Sequence, residues 1–336
     1  MGFIGVVVTL IGSFAVSVAV HEVGHLLAGL TAGHRLVVFR LFIWTVFRAE
    51  NRWEVKAGFT GWPIGGQCLM VPRDSAGELR FRLFDLGGGI ANAFVGLFAL
   101  LVGLMFDLSR PWANGMVLLA SVSFLFVLSQ AIPISMEIPN DGWILLDTAK
   151  DPNGPTDRRA MLQITAALAA GYRLRDIDEN LFQSNTSVPQ NQFGWARMIY
   201  LADRLNDAGQ RVEASRVFQS IDITALAEVY AAYVQGELLY NWLAHQAGHE
   251  PAQARGRALT RYLRTSAVSA LRVRAAEAAF MHSSPAKALQ YVARAERGLP
   301  TLGLSGAIIV ERDELATLKA QIAGMEHGRF EERPDT

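Results

Sequence analysis

Three long apolar segments constrain the fold of this chain more than any other feature of its sequence. The first runs from Phe3 to Leu30 and contains only three ionisable residues, whereas the second, Leu86–Phe106, and the third, Met116–Ile134, contain no charged residue. A helix that crosses a bilayer needs about 20 consecutive, mostly apolar residues. A buried helix in a large soluble core is the alternative for any one segment, but three of them close together predict spanning helices.

The distribution of basic residues predicts how these spans are oriented. No Lys or Arg precedes Arg35, so the first segment lacks the positive start of a cleaved signal peptide, and we expect a retained helix. The loop between the first two spans is rich in Arg, whereas the link between the second and third carries only Arg110. The positive-inside rule then predicts that the N-terminus lies outside and the C-terminus inside. We expect an integral protein of a bacterial-type cytoplasmic membrane.

Charge is distributed unevenly between the two halves of the chain. The formal net charge is zero, from 31 basic and 31 acidic residues, so no nucleic-acid partner is expected. Charged residues become common after Asp151, and the breaker sequence Asp151–Pro155 marks a boundary. We therefore expect a membrane-embedded core over residues 1–150 and a soluble α-helical domain over residues 151–336. The single cysteine, Cys68, excludes a disulfide within one chain.

An H-E-x-x-H motif lies in the first apolar segment, at His21-Glu22-Val23-Gly24-His25. On a helix, positions i and i+4 share a face, so both imidazoles can bind one zinc ion. Glu22 lies beside them, where it can take a proton from a zinc-bound water. Such motifs also occur by chance on solvated faces, but an ionisable group inside a span costs about 2.5–3.5 kcal/mol. The context therefore predicts a metal site.

Catalytic zinc usually has three protein ligands and one open position, so a third ligand is expected at the same membrane depth. About 18 residues precede His21 in the span, close to a full hydrocarbon thickness, which puts the motif near the inner side. The third span returns to that side and is expected to end in Asn140-Asp141-Gly142. Asp141 is a candidate ligand, and Glu137 is the other carboxylate there. A turn at the helix end is the alternative for Asn-Asp-Gly.

Four local matches make roughly residues 1–150 similar to the site-2 protease family of intramembrane metalloproteases. They are the motif His21–His25, the segment Gly61–Gly66 that resembles the family's Pro-x-Gly-Gly, the Gly-rich Gly87–Asn92, and Ile132-Pro133 followed by Asn140–Gly142. Two departures are visible. Ile90 stands where the family often has Pro, and the short link Asp107–Gly115 leaves no PDZ-like insertion between the second and third helices.

The resemblance implies a function and several residue roles. It implies a zinc metalloendopeptidase that cleaves a transmembrane protein substrate within the lipid bilayer, with Glu22 as the catalytic base. It makes Asp141 the third zinc ligand, and it implies substrate binding by Asn92, Gly65 and Gly66. For Asn92 the alternative is an interhelical hydrogen bond, which polar groups in spans often make.

The loop between the first two spans carries strand patterns. Leu36–Phe42 is rich in β-branched and aromatic residues, and Arg52–Ala57 alternates polar with apolar residues. In the family the corresponding loop forms membrane-associated strands, so the resemblance implies a small membrane-associated β element. An exposed strand edge could pair with an unwound substrate. A surface hairpin that only packs on the helices is the alternative.

The second half of the chain has the periodicity of consecutive helices. The expected segments are Arg158–Ala170, Phe193–Ala208, Arg211–Ile221, Leu226–Ala247, Ala252–Arg264, Val268–Met281 and Pro285–Leu299. They resemble tetratricopeptide-type hairpins, whose concave surface would recruit a cytoplasmic partner or support self-association. His245 and His249 are four residues apart without a Glu between them, and we interpret them as surface residues at a helix end.

Two other functions compete with an intramembrane protease. One is a membrane-anchored helical-repeat scaffold with a vestigial zinc site, and the other is a zinc-dependent membrane enzyme with a different reaction. The presence of Glu22 argues against the scaffold, because a purely structural site needs no general base.

Topology can be tested directly. A reporter fused after Thr336 is expected to report the cytoplasm, and a tag before Met1 is expected to be accessible from outside, because the Arg-rich segments stay inside. Both fusions are measured by protease accessibility in the same spheroplasts. An externally accessible C-terminus would contradict the orientation and the number of spans.

Overall fold

A computed structural model of the protein describes residues 2–49, 52–57, 65–72, 78–134, 140–183, 188–248 and 256–331. The chain folds into two compact units, Met1–Leu162 and Gln163–Thr336. Over the described ranges it is mostly helical, with one small antiparallel sheet. Three residues or segments singled out from the sequence lie outside those ranges, namely Gly61–Ile64, Glu137 and His249.

Three helices of the first unit are long and apolar enough to cross a membrane. They are α1 (Phe3–Thr31), α2 (Glu78–Met105) and α3 (Arg110–Ala131). Their outer faces present large apolar side chains; Phe94 is 69% exposed and Phe98 is 67% exposed. Lipid tails cover such a surface without cost, whereas water does not. The three expected spans are therefore confirmed as helices of spanning length.

Small residues bring α1 and α2 into close contact. A Cβ atom added at Gly87 would lie 2.5 Å from Ala28 Cβ and 2.6 Å from the carbonyl oxygen of Gly24. Between α1 and α3, the hydroxyls of Ser17 and Ser123 share a buried hydrogen bond of 3.1 Å. Close backbone approach and interhelical hydrogen bonds are the interactions that hold helices together in lipid, where burial of apolar surface brings no gain.

The loop after α1 forms a four-stranded antiparallel sheet. Its strands are β1 (His34–Leu41), β2 (Trp44–Ala49), β3 (Arg52–Ala57) and β4 (Gly66–Pro72), in the order β3-β2-β1-β4. The two segments with strand patterns, Leu36–Phe42 and Arg52–Ala57, correspond to β1 and β3, whereas β2 and β4 were not predicted. Strand β1 pairs with β4 through Cα partners such as Phe39 and Cys68, with an irregularity between Leu36 and Val38.

The expected end of the third helix was wrong. Helix α3 ends at Ala131, and Asp141 is the first residue of a separate helix, α4 (Asp141–Lys150). The cause is Pro133, because the residue before a proline avoids the helical region, and Ile132 is extended with φ −76° and ψ 116°. Asn-Asp-Gly therefore starts a helix instead of forming the turn that ends one.

A buried ion pair ties α2 to the end of the first unit. Helix α5 (Gly154–Ala169) follows α4, and its Arg158 donates two hydrogen bonds to Asp85, at 2.6 and 2.5 Å. The guanidinium also lies 4.7 Å from the ring centre of Phe81. A bidentate pair of this kind fixes geometry as well as satisfying two buried charges.

The second unit consists of consecutive helices that pack on their neighbours. They are α6 (Gln192–Asp207), α7 (Arg211–Ser220), α8 (Glu228–His245), α9 (Arg257–Leu263), α10 (Val268–Ala276), α11 (Pro285–Gly298) and α12 (Ser305–Glu331). Short turns of 3₁₀-helix and one π turn, Glu277–Met281, connect them. The expected apolar stripe of α6 is buried: Trp195, Ile199 and Ala202 pack against Phe218 and Val234. Helix α12 was not predicted, and the tetratricopeptide resemblance stays a prediction.

A buried polar network crosses the second unit. Arg272 of α10 donates to Glu237 of α8 at 2.7 Å and to Glu311 of α12 at 2.9 Å. His245 was expected at the surface, and that expectation was wrong. Its side chain is only 16% exposed, and burial lowers its pKa to about 4.

The close contact of α1 with α2 predicts a difference between two glycines of one helix. Gly87→Ala and Gly89→Ala both gain about 1 kcal/mol of helix propensity. Only the first meets neighbouring atoms, since nothing lies within 4 Å of a Cβ at Gly89. We expect Gly87→Ala to be less stable than Gly89→Ala by about 1–3 kcal/mol, measured by thermal unfolding of purified protein. Equal stability would contradict the close packing.

Candidate metal centre

Three ligand-type side chains from α1 and α4 converge on one point. The Nε2 atoms of His21 and His25 lie 3.1 Å apart, and Oδ2 of Asp141 lies 3.2 Å from the first and 3.1 Å from the second. His21 and His25 are buried, and Asp141 is partly buried. Within the described part of the chain, this is the group of His, Cys, Asp or Glu residues whose geometry suits a metal ion.

The spacing of these atoms fits a tetrahedral zinc site. Zinc bonds to nitrogen and carboxylate oxygen are about 2.0–2.2 Å long, so tetrahedral ligand atoms lie roughly 3.3–3.6 Å from one another, a little farther apart than the atoms here. Two imidazoles and one carboxylate also leave the fourth position open, as in catalytic sites. The three residues present therefore fit the ion, and His21, His25 and Asp141 would hold it.

Asn140 positions Asp141 by joining the end of α3 to the start of α4. Its amide donates to the carbonyl oxygens of Ser129 and Ile132, both at 2.6 Å, and its Oδ1 accepts from the backbone N–H of Trp143 at 3.0 Å. This side chain thus provides hydrogen-bond partners for backbone carbonyls at the C-terminal end of α3 and for a backbone N–H in the first turn of α4. Gln130 Oε1 accepts from the backbone N–H of Asp141 at 3.3 Å.

The second nitrogen of His25 is held by the backbone of α2. His25 Nδ1 lies 2.8 Å from the carbonyl oxygen of Phe84. A carbonyl can only accept, so Nδ1 carries the proton and Nε2 presents its lone pair toward Asp141. Metal-ligating histidines are typically oriented in this way.

The second nitrogen of His21 faces a side chain of α2. Asn92 is fully buried, and its Nδ2 lies 3.3 Å from His21 Nδ1. The role in substrate binding expected for Asn92 stays a prediction.

Glu22 lies next to the metal ligands and under strand β4. It is 8% exposed, and a Cβ atom added at Gly66 would lie 2.5 Å from its carboxyl carbon. Gly65 precedes this strand and accepts a hydrogen bond from the backbone N–H of Phe42 at 2.9 Å. Gly66 is thus part of the wall over Glu22. The substrate contact expected for Gly65 and Gly66 stays a prediction.

The charge of Asp141 is stabilised by the two imidazoles. Burial alone would raise the pKa of this carboxyl, but when Nε2 of His21 and of His25 is protonated and no metal is bound, the hydrogen bonds that these rings donate outweigh burial and hold the pKa well below its usual range. The group is therefore an anion at neutral pH, which is the form that binds a cation.

An apolar cavity adjoins the site. It has a volume of about 630 Å³ and lies between α2, α3 and α4. Asp141 and Gly142 form part of its wall, and most of the remainder is apolar, including Leu86, Ile90 and Val127. The cavity could hold several apolar side chains next to the carboxylate.

Sequence reasoning missed the groups that support these ligands. The Phe84 carbonyl is a backbone atom, so no residue type signals it. Gly88 was noted only within a Gly-rich segment, yet a Cβ atom there would lie 2.5 Å from His21 Cε1 and 2.6 Å from His25 Nε2. The signal that could have found it is the i, i+4 pair on α1, because two imidazoles on one face need a neighbour without a side chain.

A comparison with protein-family models identifies the chain. The model of peptidase family M50 matches residues 9–317, nearly its whole length. The chain belongs to peptidase family M50. This confirms the resemblance to the site-2 proteases, and M50 membership makes the protein a membrane metalloprotease of that type, acting on transmembrane substrates. No curated protein and no solved structure matches the chain.

The space left by Gly88 gives a test of the M50 site. In Gly88→Ala the new methyl group collides with both imidazoles, and we expect zinc affinity to fall roughly 10- to 100-fold, the range for changes around metal ligands. Zinc per mole of purified protein is measured after dialysis against a chelator. Gly89→Ala is the matched control, since its Cβ meets no atom within 4 Å. Undiminished zinc in Gly88→Ala would contradict the geometry.

Proposed function

We propose that this protein is an intramembrane zinc endopeptidase in which His21, His25 and Asp141 bind the metal and Glu22 is the general base. One observation carries the proposal. The carboxylate of Asp141 lies 3.1 Å from the imidazole of His25, although the two residues are 116 positions apart in sequence. His25 in turn follows Glu22 by about one turn of α1. Membership in peptidase family M50 supports the reaction type.

The chemistry assigned to Glu22 is proton transfer. When bound, zinc acts as a Lewis acid and lowers the pKa of a coordinated water. Glu22 accepts a proton from the attacking water and delivers it to the leaving amine nitrogen as the peptide bond breaks. Its burial beneath Gly66 excludes bulk water from the carboxylate, which strengthens its interaction with the reacting groups.

The substrate is proposed to be a transmembrane segment that unwinds at strand β4. Within the described residues, β4 is an edge strand that pairs with β1 alone, and its Gly66 lies against Glu22. An extended substrate strand added there would have its backbone groups satisfied by β4, which an unwound helix in lipid requires. The membrane association of the sheet is part of this proposal.

The remaining parts of the proposal concern organisation. We assign residues 1–150 as the peptidase core and residues 151–336 as a domain on the cytoplasmic side of a bacterial-type membrane. The packed helices α6–α12 carry the proposed role in recruiting a partner or in self-association, through tetratricopeptide-like stacking.

The proposal is tested by separating metal binding from proteolysis. Glu22→Gln is expected to keep its zinc and to lose cleavage by roughly 10²–10⁴-fold, because the ligands survive and the base does not. Cleavage is measured by co-expression with candidate single-span membrane proteins. Asp141→Ala is the complementary variant and is expected to lose zinc as well. Cleavage by Glu22→Gln at the wild-type rate would refute the mechanism, and zinc binding by the wild-type protein without any cleavage would favour the scaffold.

A further inference from the structure

The side chain of Asn92 contacts the proposed metal ligand His21 through its nitrogen, but its oxygen has no hydrogen-bond partner. The side chain is fully buried, its Nδ2 lies 3.3 Å from His21 Nδ1, and its Oδ1 is buried without a hydrogen-bond partner. An unsatisfied acceptor buried among apolar helices costs free energy, so it calls for a donor.

The donor is supplied by His21 once the imidazole binds metal. Binding through Nε2 leaves the ring proton on Nδ1, which makes Nδ1–H a donor directed at Asn92. The amide N–H₂ is also a donor, so the two groups cannot pair in that orientation. The two orientations of a carboxamide have the same shape, and the hydrogen-bond network decides between them. Rotating the amide by half a turn brings Oδ1 to the imidazole N–H.

We propose that Asn92 is a positioning residue whose Oδ1 accepts a hydrogen bond from His21 Nδ1–H and fixes the ring with Nε2 toward the metal. This inference rests on the proposed function. It gives His21 the kind of support that the Phe84 carbonyl gives His25. Phe84 and Asn92 are eight residues apart on α2, about two helical turns, so one face of this helix orients both imidazoles.

The positioning role differs measurably from substrate binding. A residue that holds a substrate carbonyl uses its N–H donor, whereas the role proposed here uses the oxygen acceptor. Aspartate has nearly the shape of asparagine and keeps the acceptor but has no donor when ionised. Leucine has a similar shape and has neither.

The zinc affinity of the full-length protein distinguishes the positioning role of Asn92 from a role in substrate binding. Wild type, Asn92→Asp and Asn92→Leu are purified in detergent and titrated with zinc against a competing chelator. We expect Asn92→Leu to bind zinc roughly 10- to 100-fold more weakly, and Asn92→Asp to bind it about as tightly as wild type. Ser123→Ala is the control, because it removes an interhelical hydrogen bond to Ser17 without touching the metal site. Its zinc affinity is expected to be unchanged.

Two results would overturn the proposal. One is wild-type zinc affinity in Asn92→Leu, and the other is an equal loss in Asn92→Asp and Asn92→Leu, which would indicate a donor or packing role. If Asn92→Leu does not fold, Asn92→Ala replaces it. A loss of zinc affinity in Asn92→Asp equal to that in Asn92→Ala would then contradict the proposal. The readout is independent of proteolysis. A protein that shows the expected zinc pattern but cleaves nothing would refute the endopeptidase proposal and leave the role of Asn92 standing.

Discussion

The architecture of the first unit depends on keeping ionisable groups satisfied inside apolar helices. His21, Glu22 and His25 lie on a helix whose other residues suit lipid, and each charged or polar atom there needs a partner. The partners come from elements that are distant in sequence. The Phe84 carbonyl and Asn92 come from α2, and the Asp141 carboxylate comes from α4. The requirement for these contacts explains why α2 and α4 approach α1 where they do.

The second condition is that the helices and the sheet approach the site closely, and glycines make this possible because they have no side chain. Gly87 lets the backbone of α2 contact α1, and Gly88 leaves room for both imidazoles one residue further along. Gly66 does the same for Glu22 from the side of the sheet. In each case a methyl group would occupy space that a functional side chain or a helix backbone now fills.

The parts of this structure that could be predicted are those that local sequence determines. The spans follow from apolar length, strand β3 from its alternating period, and the pairing of His21 with His25 from helical geometry. The separate helix α4 was not predicted, because the apolar run continues to Ile134 although Pro133 ends the helix at Ala131. Strand β4 was missed because its course depends on pairing with β1 and on contact with Glu22, neither of which the segment itself encodes. Such tertiary context overrides local propensity.

The distance in sequence between the metal ligands has a consequence for folding. A bound ion would cross-link His25 to Asp141 and close a loop of 116 residues that contains α2, α3 and the sheet. A covalent bridge around a loop of about that length restricts the unfolded chain by on the order of 4–5 kcal/mol in the chain-entropy account. With Cys68 as its single cysteine, the chain has no internal disulfide to provide that restraint. A bound metal ion would therefore stabilise the first unit against unfolding, and its removal by a chelator would destabilise the fold as well as the site.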